Sequence, residues 1–81
     1  MIRVELYDLA RSRAGVAHLE VEAATLGEAL REVVARCPRL TDLDDLGLWR
    51  VSLGGERFLT DPVTPLADGD TLLVFSAQSG G

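Results

Sequence analysis

A chain of 81 residues with 47% apolar residues can build one hydrophobic core, and its length argues against a second domain. The net charge is −5, with 13 acidic and 8 basic residues, so nucleic acid is a poor partner, because its binding needs clustered Lys and Arg. One cysteine excludes an internal disulfide. No apolar run approaches the roughly 20 residues of a membrane span, and the first residues do not form a secretion signal. We therefore expect a cytoplasmic protein.

The first quarter of the chain predicts two strands. Residues 2–9 alternate between apolar and polar side chains, which is typical of a half-buried strand. Residues 16–23 alternate again, and the residues predicted to point inward are Ala17, Leu19 and Val21. We interpret residues 10–15 (ARSRAG) as a polar turn, so the two strands form an antiparallel hairpin.

The next segment changes to a helical period. Apolar residues recur at three- and four-residue steps within residues 26–37, which predicts one buried stripe of a helix. Thr25 is a suitable N-cap, and Glu28 completes a capping box. Pro38 cannot continue the helix, so we expect the helix to end near Arg36.

The second half predicts three further strands. Residues 38–47 form an acidic, irregular connection with room for one short helical turn. Residues 48–53 (LWRVSL) and 56–59 (ERFL) are strands that a two-residue turn at Gly54–Gly55 joins. Residues 71–76 (TLLVFS) are the last strand, whose apolar run predicts a central position with both faces covered.

These elements predict a two-layer α+β domain with a mixed sheet of four or five strands and one main helix. A helix lying across such a sheet after an opening hairpin is the ubiquitin-like β-grasp arrangement, in which the last strand lies beside the first. We therefore predict a β-grasp domain at residues 1–75 and a flexible C-terminal tail at residues 76–81. The tail would leave the middle of the sheet and project into solvent.

No conventional catalytic or metal site is predicted. His18, the only histidine, is expected on a solvated strand face, and Cys37 is expected to be a buried structural thiol. One cysteine and one histidine lack metal-ligand spacing, and residues 42–45 (DLDD) lack the calcium-loop pattern. Trp49 is expected to pack in the core rather than anchor an interface. We therefore expect no catalytic residue, metal or bound cofactor of the chain's own.

Gly80 and Gly81 stand at the end of the sequence, where no turn requires them. A final glycine leaves its α-carboxylate unhindered, and Gly80 lets the backbone thread a channel that a Cβ would block. Gly81 is therefore the predicted acyl carrier. The residues predicted to thread a partner's active site, over roughly 20 Å when extended, are Gly80, Ser79, Gln78, Ala77 and Ser76. We predict that the body docks through its exposed sheet face, with Phe58 and Phe75.

Three segments resemble the MoaD/ThiS family of sulfur carriers, and more closely its MoaD side, the small subunit of molybdopterin synthase. They are VELYDLARSRAG (residues 4–15), ATLGEALREVVARCPRL (residues 24–40) and PLADGDTLLVFSAQSGG (residues 65–81). The resemblance implies that an ATP-using partner of the MoeB/ThiF type adenylates Gly81, which then becomes a thiocarboxylate. Sulfur would pass to a downstream enzyme, such as the molybdopterin synthase large subunit. The chain would be a non-catalytic carrier, able to serve as the small subunit of a synthase, with no nucleic-acid or membrane partner.

Three alternatives stay open. Molybdopterin-synthase small subunits commonly end with a Pro-Pro-Val-Ala-Gly-Gly-like stretch, whereas residues 76–79 here are Ser-Ala-Gln-Ser. This tail resembles carriers for other routes, such as tRNA thiolation, thiamine or specialised sulfur metabolites. In a second class, Gly81 is conjugated to a lysine of a target, as in ubiquitin-like modification; the chain itself contains no lysine. A third class is a structural adaptor whose glycines are incidental.

Overall fold

The computed structural model describes residues 1–43, 45 and 47–77. These residues form the elements β1 (Ile2–Leu6), α1 (Asp8–Ala14), β2 (His18–Val21), α2 (Leu26–Arg36), β3 (Trp49–Leu53), β4 (Arg57–Phe58) and β5 (Thr71–Ser76), with a 3₁₀ helix at Pro38–Leu40.

The five strands form one mixed sheet in the order β2-β1-β5-β3-β4. The last strand, β5, lies at the centre, parallel to β1 and antiparallel to β3. The antiparallel pairing of β1 with β2 confirms the predicted opening hairpin. The two-layer α+β architecture, with α2 over the sheet and β5 beside β1, is the β-grasp fold that the order of elements predicted.

The core lies between one face of the sheet and α2. In β1 the predicted alternation holds, since every second side chain is buried. The predicted apolar stripe of the helix is also confirmed. Leu26, Leu30, Val33 and Cys37 are buried, and Val34 is partly buried against the core. The buried sheet and helix residues of this core include Ile2, Val4, Leu6, Val21, Val51, Leu72, Val74, Leu26, Ala29, Leu30 and Val33.

The start of α2 is held by its cap and by a neighbouring loop. The backbone N–H of Glu28 donates to Oγ1 of Thr25 (3.3 Å), and Oε1 of Glu28 accepts from the backbone N–H of Ala24 (3.1 Å). The N–H groups of Leu26 and Gly27 donate to carbonyl oxygens of residues 64 and 62, at 2.9 and 2.8 Å. These bonds satisfy donors that a helix start otherwise leaves unpaired. The predicted N-cap and the predicted end at Arg36 are both confirmed.

The connection between β1 and β2 is a helix, so the prediction of a polar turn over residues 10–15 was wrong. Helix α1 buries Ala10 in the core and ends at Gly15, whose φ of 77° is left-handed and whose N–H donates to the Arg11 carbonyl. A C-terminal glycine after two basic residues is a helix-stop signal. The seven-residue helix is too short to show a clear apolar period, so tertiary packing decides it.

Three further details differ from the prediction. Ala17 precedes β2 and is exposed, although its carbonyl oxygen already accepts from the N–H of Leu6. The hairpin after β3 contains three residues, since Leu53 pairs with Arg57; Gly54 and Gly55 both have positive φ there. The outer face of β5 is only partly covered, because α2 lies on the other face and the described chain has no second layer on this side.

Candidate functional site

The central strand brings the chain to the predicted tail at one end of the sheet. Ser76 is the last residue of β5, where it pairs with Trp49. The backbone N–H of Ala77 donates to the carbonyl of Leu48 at 2.9 Å. Ser76 and Ala77, predicted as the first residues of a projecting arm, therefore belong to the folded body, because strand pairing continues past Phe75. The other predicted tail residues, Gln78, Ser79, Gly80 and Gly81, lie outside the described part of the chain, and their roles stay predictions.

A network of three side chains supports this end of the sheet. Nε1 of Trp49 donates to Oδ1 of Asp42 at 3.1 Å, and the guanidinium of Arg13 lies 5.7 Å from the centre of the Trp49 ring. Nη1 of Arg13 is 3.6 Å from the same Asp42 oxygen. Asp42 thus accepts one hydrogen bond from Trp49 and forms an ion pair with Arg13, whose cation lies over the indole face. The network ties α1 and the connection after the 3₁₀ helix to the first residue of β3.

The outer face of the sheet carries the two aromatic residues predicted to dock a partner. Phe58 is 61% exposed, and Phe75 is partly buried. Their rings meet edge to face, with centroids 6.1 Å apart and an interplanar angle of 60°. In the strand register Ser52 lies between Leu73 and Phe58, and it is buried. The structure thus brings the predicted docking residues together, one residue before the end of β5.

A polar cluster lies on the same outer face, on β1. The Glu5 carboxylate accepts from the Tyr7 hydroxyl (2.7 Å) and from Nε of Arg3 (2.9 Å). The bond from Tyr7, followed by that from Arg3, holds the pKa of the Glu5 carboxyl below its usual value. The same bond raises the pKa of the Tyr7 phenol. Both carboxylate oxygens are occupied, so Glu5 has the character of a structural group on this face rather than a general base.

The other residues considered in the sequence analysis do not form a common site. His18 is exposed and lies opposite Glu5 in the strand register, while Cys37 is a buried free thiol. Trp49 is buried in the core, as predicted, and also forms the network described above. Among the residues that the structure describes, no three acidic, histidine or cysteine side chains are grouped to hold a metal ion. No helix in that part of the chain has the length and apolar content to cross a bilayer.

The sequence analysis missed Leu9, Arg13 and Leu48, which line a pocket at the end of β5 together with Trp49, Ser76 and Ala77. The interpretation of residues 10–15 as a turn hid the proximity of α1 to the end of β5, and Leu48 was read only as the start of a strand. The one available signal was Gly15 after Arg11 and Arg13, which marks the end of a helix.

Comparison with solved structures identifies several proteins with a similar fold. SAMP1 of Haloferax volcanii, a small archaeal modifier protein, matches with a TM-score of 0.82 and 28% identity over 99% of this chain and 98% of that chain. A chain of the BexX/CysO complex of Amycolatopsis orientalis matches with a TM-score of 0.80 and 21% identity over all of both chains. A chain of the complex of subunits 1 and 2 of molybdopterin-converting factor from Helicobacter pylori matches with a TM-score of 0.68 and 22% identity, over 99% and 97%. No family model and no curated protein matches the sequence.

The fold and the end of its central strand thus define a ubiquitin-like β-grasp protein. Its structural neighbours are proteins of the MoaD/ThiS type, which confirms the resemblance seen in the three sequence segments.

Proposed function

We propose that this chain is a cytoplasmic sulfur carrier that acts through the α-carboxylate of Gly81. The observation that carries the proposal is the path of β5. This central strand ends at Ser76, five positions before Gly81 in the sequence, so the strand leads the chain from the middle of the sheet toward Gly81. The structural likeness to an archaeal small modifier protein over 99% of this chain supports it.

The chemistry needs a partner because a carboxylate is a poor acyl donor. In the proposed reaction, an oxygen of the Gly81 carboxylate attacks the α-phosphorus of ATP, and pyrophosphate leaves. Hydrosulfide, or a donor that supplies it, then attacks the acyl carbon; the C–S bond forms as the C–O bond to AMP breaks. The product is a thiocarboxylate, whose sulfur a downstream enzyme takes. The chain supplies an unhindered carboxylate and a slender backbone at Gly80, and the partner supplies the ATP site.

The partners we propose are an activating enzyme of the MoeB/ThiF type and a sulfur-accepting enzyme. Two of the neighbours belong to protein–protein complexes, which supports a carrier that works by docking. The Phe58–Phe75 pair offers an exposed aromatic surface at the tail end of the sheet. Aromatic side chains at the centre of an interface often carry much of its binding energy.

We propose that the sulfur is used in molybdopterin synthesis and that a molybdopterin synthase large subunit is the partner that accepts it. The sequence resemblance to the MoaD side supports this choice, and so does the shared fold of the Helicobacter pylori complex. A different sulfur acceptor is the rival, favoured by the Ser-Ala-Gln-Ser stretch before the glycines. Incubation of the thiocarboxylate form with each candidate acceptor enzyme, followed by measurement of sulfur transfer, separates the two.

The test of the carrier function is the intact mass of the chain after incubation with ATP, the activating enzyme and sulfide. We expect a gain equal to the difference between one sulfur and one oxygen atom. A matched control carries one alanine appended after Gly81 and should not gain this mass. If an activating enzyme that converts another carrier leaves this chain unchanged, the proposal is wrong.

The second candidate function is protein modification through Gly81. The name of the Haloferax volcanii neighbour, a modifier protein, favours it. The same acyl-adenylate would form an amide with a target lysine, and AMP would leave. Immunoblots of cell lysate should then show adducts that resist reducing agent and disappear when the chain is truncated before Gly80. Free carrier alone would support sulfur delivery.

A further inference from the structure

The edge of the sheet at β2 presents backbone groups that point away from the other strands. The N–H of Tyr7 donates to a carbonyl of β5, whereas the N–H of Leu6 donates to the carbonyl of Ala17, just before β2. The backbone of β1 therefore faces β5 at odd-numbered residues and β2 at even-numbered ones. His18 and Glu20 lie opposite odd-numbered residues of β1, so their own N–H and C=O groups are directed outward.

A contact from α2 confirms this direction. Nη1 of Arg36, the last residue of α2, donates to the carbonyl oxygen of Glu20 at 2.7 Å. The N–H of Glu20 and both backbone groups of His18 have no such partner among the described residues. Outward N–H and C=O groups on an edge strand are a template for pairing with another chain, and a charged side chain at the edge obstructs that pairing. Arg36 thus covers only one of the four outward groups.

The side chains along this edge favour a basic partner. Glu20 and Glu22 are exposed, and neither carboxylate forms an ion pair with a described residue. Arg3, the residue opposite Glu20 in the strand register, is bonded to Glu5 instead. An added strand would place every second side chain beside Glu20 on the outer face and the others beside Leu19, which is packed against the core. Alternating basic and apolar residues fit these two faces.

The β2 edge is separate from the site at the end of β5. Neighbouring strands lie about 4.8 Å apart and β1 stands between β2 and β5, so a strand added beyond β2 lies roughly 14 Å from β5. A segment bound there leaves Ser76 and the Phe58–Phe75 pair uncovered. One partner can therefore hold the chain by this edge while another protein acts at the other site.

We propose that β2 is a docking edge, to which a partner protein adds an extended segment of alternating basic and apolar residues as an antiparallel sixth strand. The backbone of the segment bonds to His18 and Glu20, and the exposed Arg36 side chain gives up the Glu20 carbonyl or shares its second lone pair. A second copy of this chain is a poorer occupant, because two molecules of net charge −5 repel each other. The proposal does not depend on the carrier function.

The test uses the full chain and an acetylated peptide of about eight residues in which Lys and Val alternate. The rates of amide hydrogen exchange, measured by NMR, should fall tenfold or more for His18 and Glu20 at saturating peptide, because each N–H then donates to the added strand. The amides of β4, at the opposite edge, are the internal control and should not change. In antiparallel pairing the Lys residues lie opposite His18 and Glu20. Methylation of the Lys backbone nitrogens should therefore abolish binding, and methylation of the Val backbone nitrogens should not.

Three variants of the chain test the edge by fluorescence anisotropy of a labelled peptide. Arg36→Ala removes the group that occupies the Glu20 carbonyl, so the affinity should rise roughly threefold or more. Arg39→Ala is the matched control, since it removes the same charge from an exposed residue of the 3₁₀ helix, and it should raise the affinity less. Glu20→Gln should weaken binding by about two- to fivefold, and high salt should remove this difference.

Absence of peptide binding at about 1 mM, or unchanged exchange of the His18 and Glu20 amides at saturation, would overturn the docking edge. Binding that survives methylation of the Lys backbone nitrogens would also overturn it, since the contact would then be made by side chains alone. Slow exchange of both amides in the peptide-free chain, together with a dimer in sedimentation, would assign the edge to a second copy and overturn the proposed partner.

Discussion

Two neighbouring leucines of β5 test whether the central strand is covered on one face or on both. Leu72 is fully buried against the α2 side, whereas Leu73 is partly buried on the outer face, opposite Ser52. Replacing each by alanine removes the same atoms from the same strand. Because the loss in strand propensity is also the same, the difference between the two variants reports burial.

The structure sets the size of the two effects. Leu72→Ala loses roughly 0.8 kcal/mol for each buried methylene and leaves a cavity, so it should cost about 2–5 kcal/mol. Leu73→Ala should cost less, about 1–2 kcal/mol, because solvent already reaches part of that side chain and fills the space it leaves. A domain of this length has a free energy of unfolding of about 4–12 kcal/mol, so Leu72→Ala removes a large share of it.

Urea denaturation measures both free energies, with the fluorescence of Trp49, the single tryptophan and a buried one, as the signal. Thermal unfolding gives a second reading, since each kcal/mol lowers the Tm by about 4–8 °C in a domain of this size. Equal costs for the two variants would refute the reasoning. They would mean that the outer face is covered as well as the inner one, and that it offers no free surface for a partner.

Three further changes test local features. Glu5 has a lowered pKa in the folded chain, chiefly through its bond from Tyr7, so its contribution to the free energy of unfolding is complete above the ordinary glutamate pKa and disappears as the pH falls through the lower folded value. The stability difference between wild type and Glu5→Gln, from urea titrations at several pH values, should therefore shrink on acidification. A constant difference would contradict this. Gly15→Ala should cost roughly 1 kcal/mol through its left-handed φ alone, since the added Cβ meets no atom within 4 Å, and Gly15→Asn should cost less by the same denaturation assay. Asp42→Ala leaves the buried Nε1 of Trp49 without its acceptor and should cost about 1–3 kcal/mol, whereas Asp42→Asn retains an oxygen and should cost less; equal losses would assign the effect to charge instead.

The candidate site was only partly predictable. Phe58 and Phe75 were predicted to dock a partner from the exposed sheet face, and the structure brings their rings together there. The limits of the arm were not predictable, because Ser76 and Ala77 look like linker residues. Their positions are decided by β3 and by the Leu48 carbonyl, which lie almost thirty residues earlier in the sequence.

The amino-acid sequence alone determined the strands with clear alternation, the helix with its Thr25 cap and the class of fold, because these depend on contacts between near neighbours and on the apolar period. Only the tertiary structure decided that α1 is a helix, that β5 is fully covered on one face only, and that Ala77 is bonded to Leu48. Each of these depends on which distant segment supplies a hydrogen-bond partner or a covering side chain, and a pattern of near neighbours carries no information about that choice.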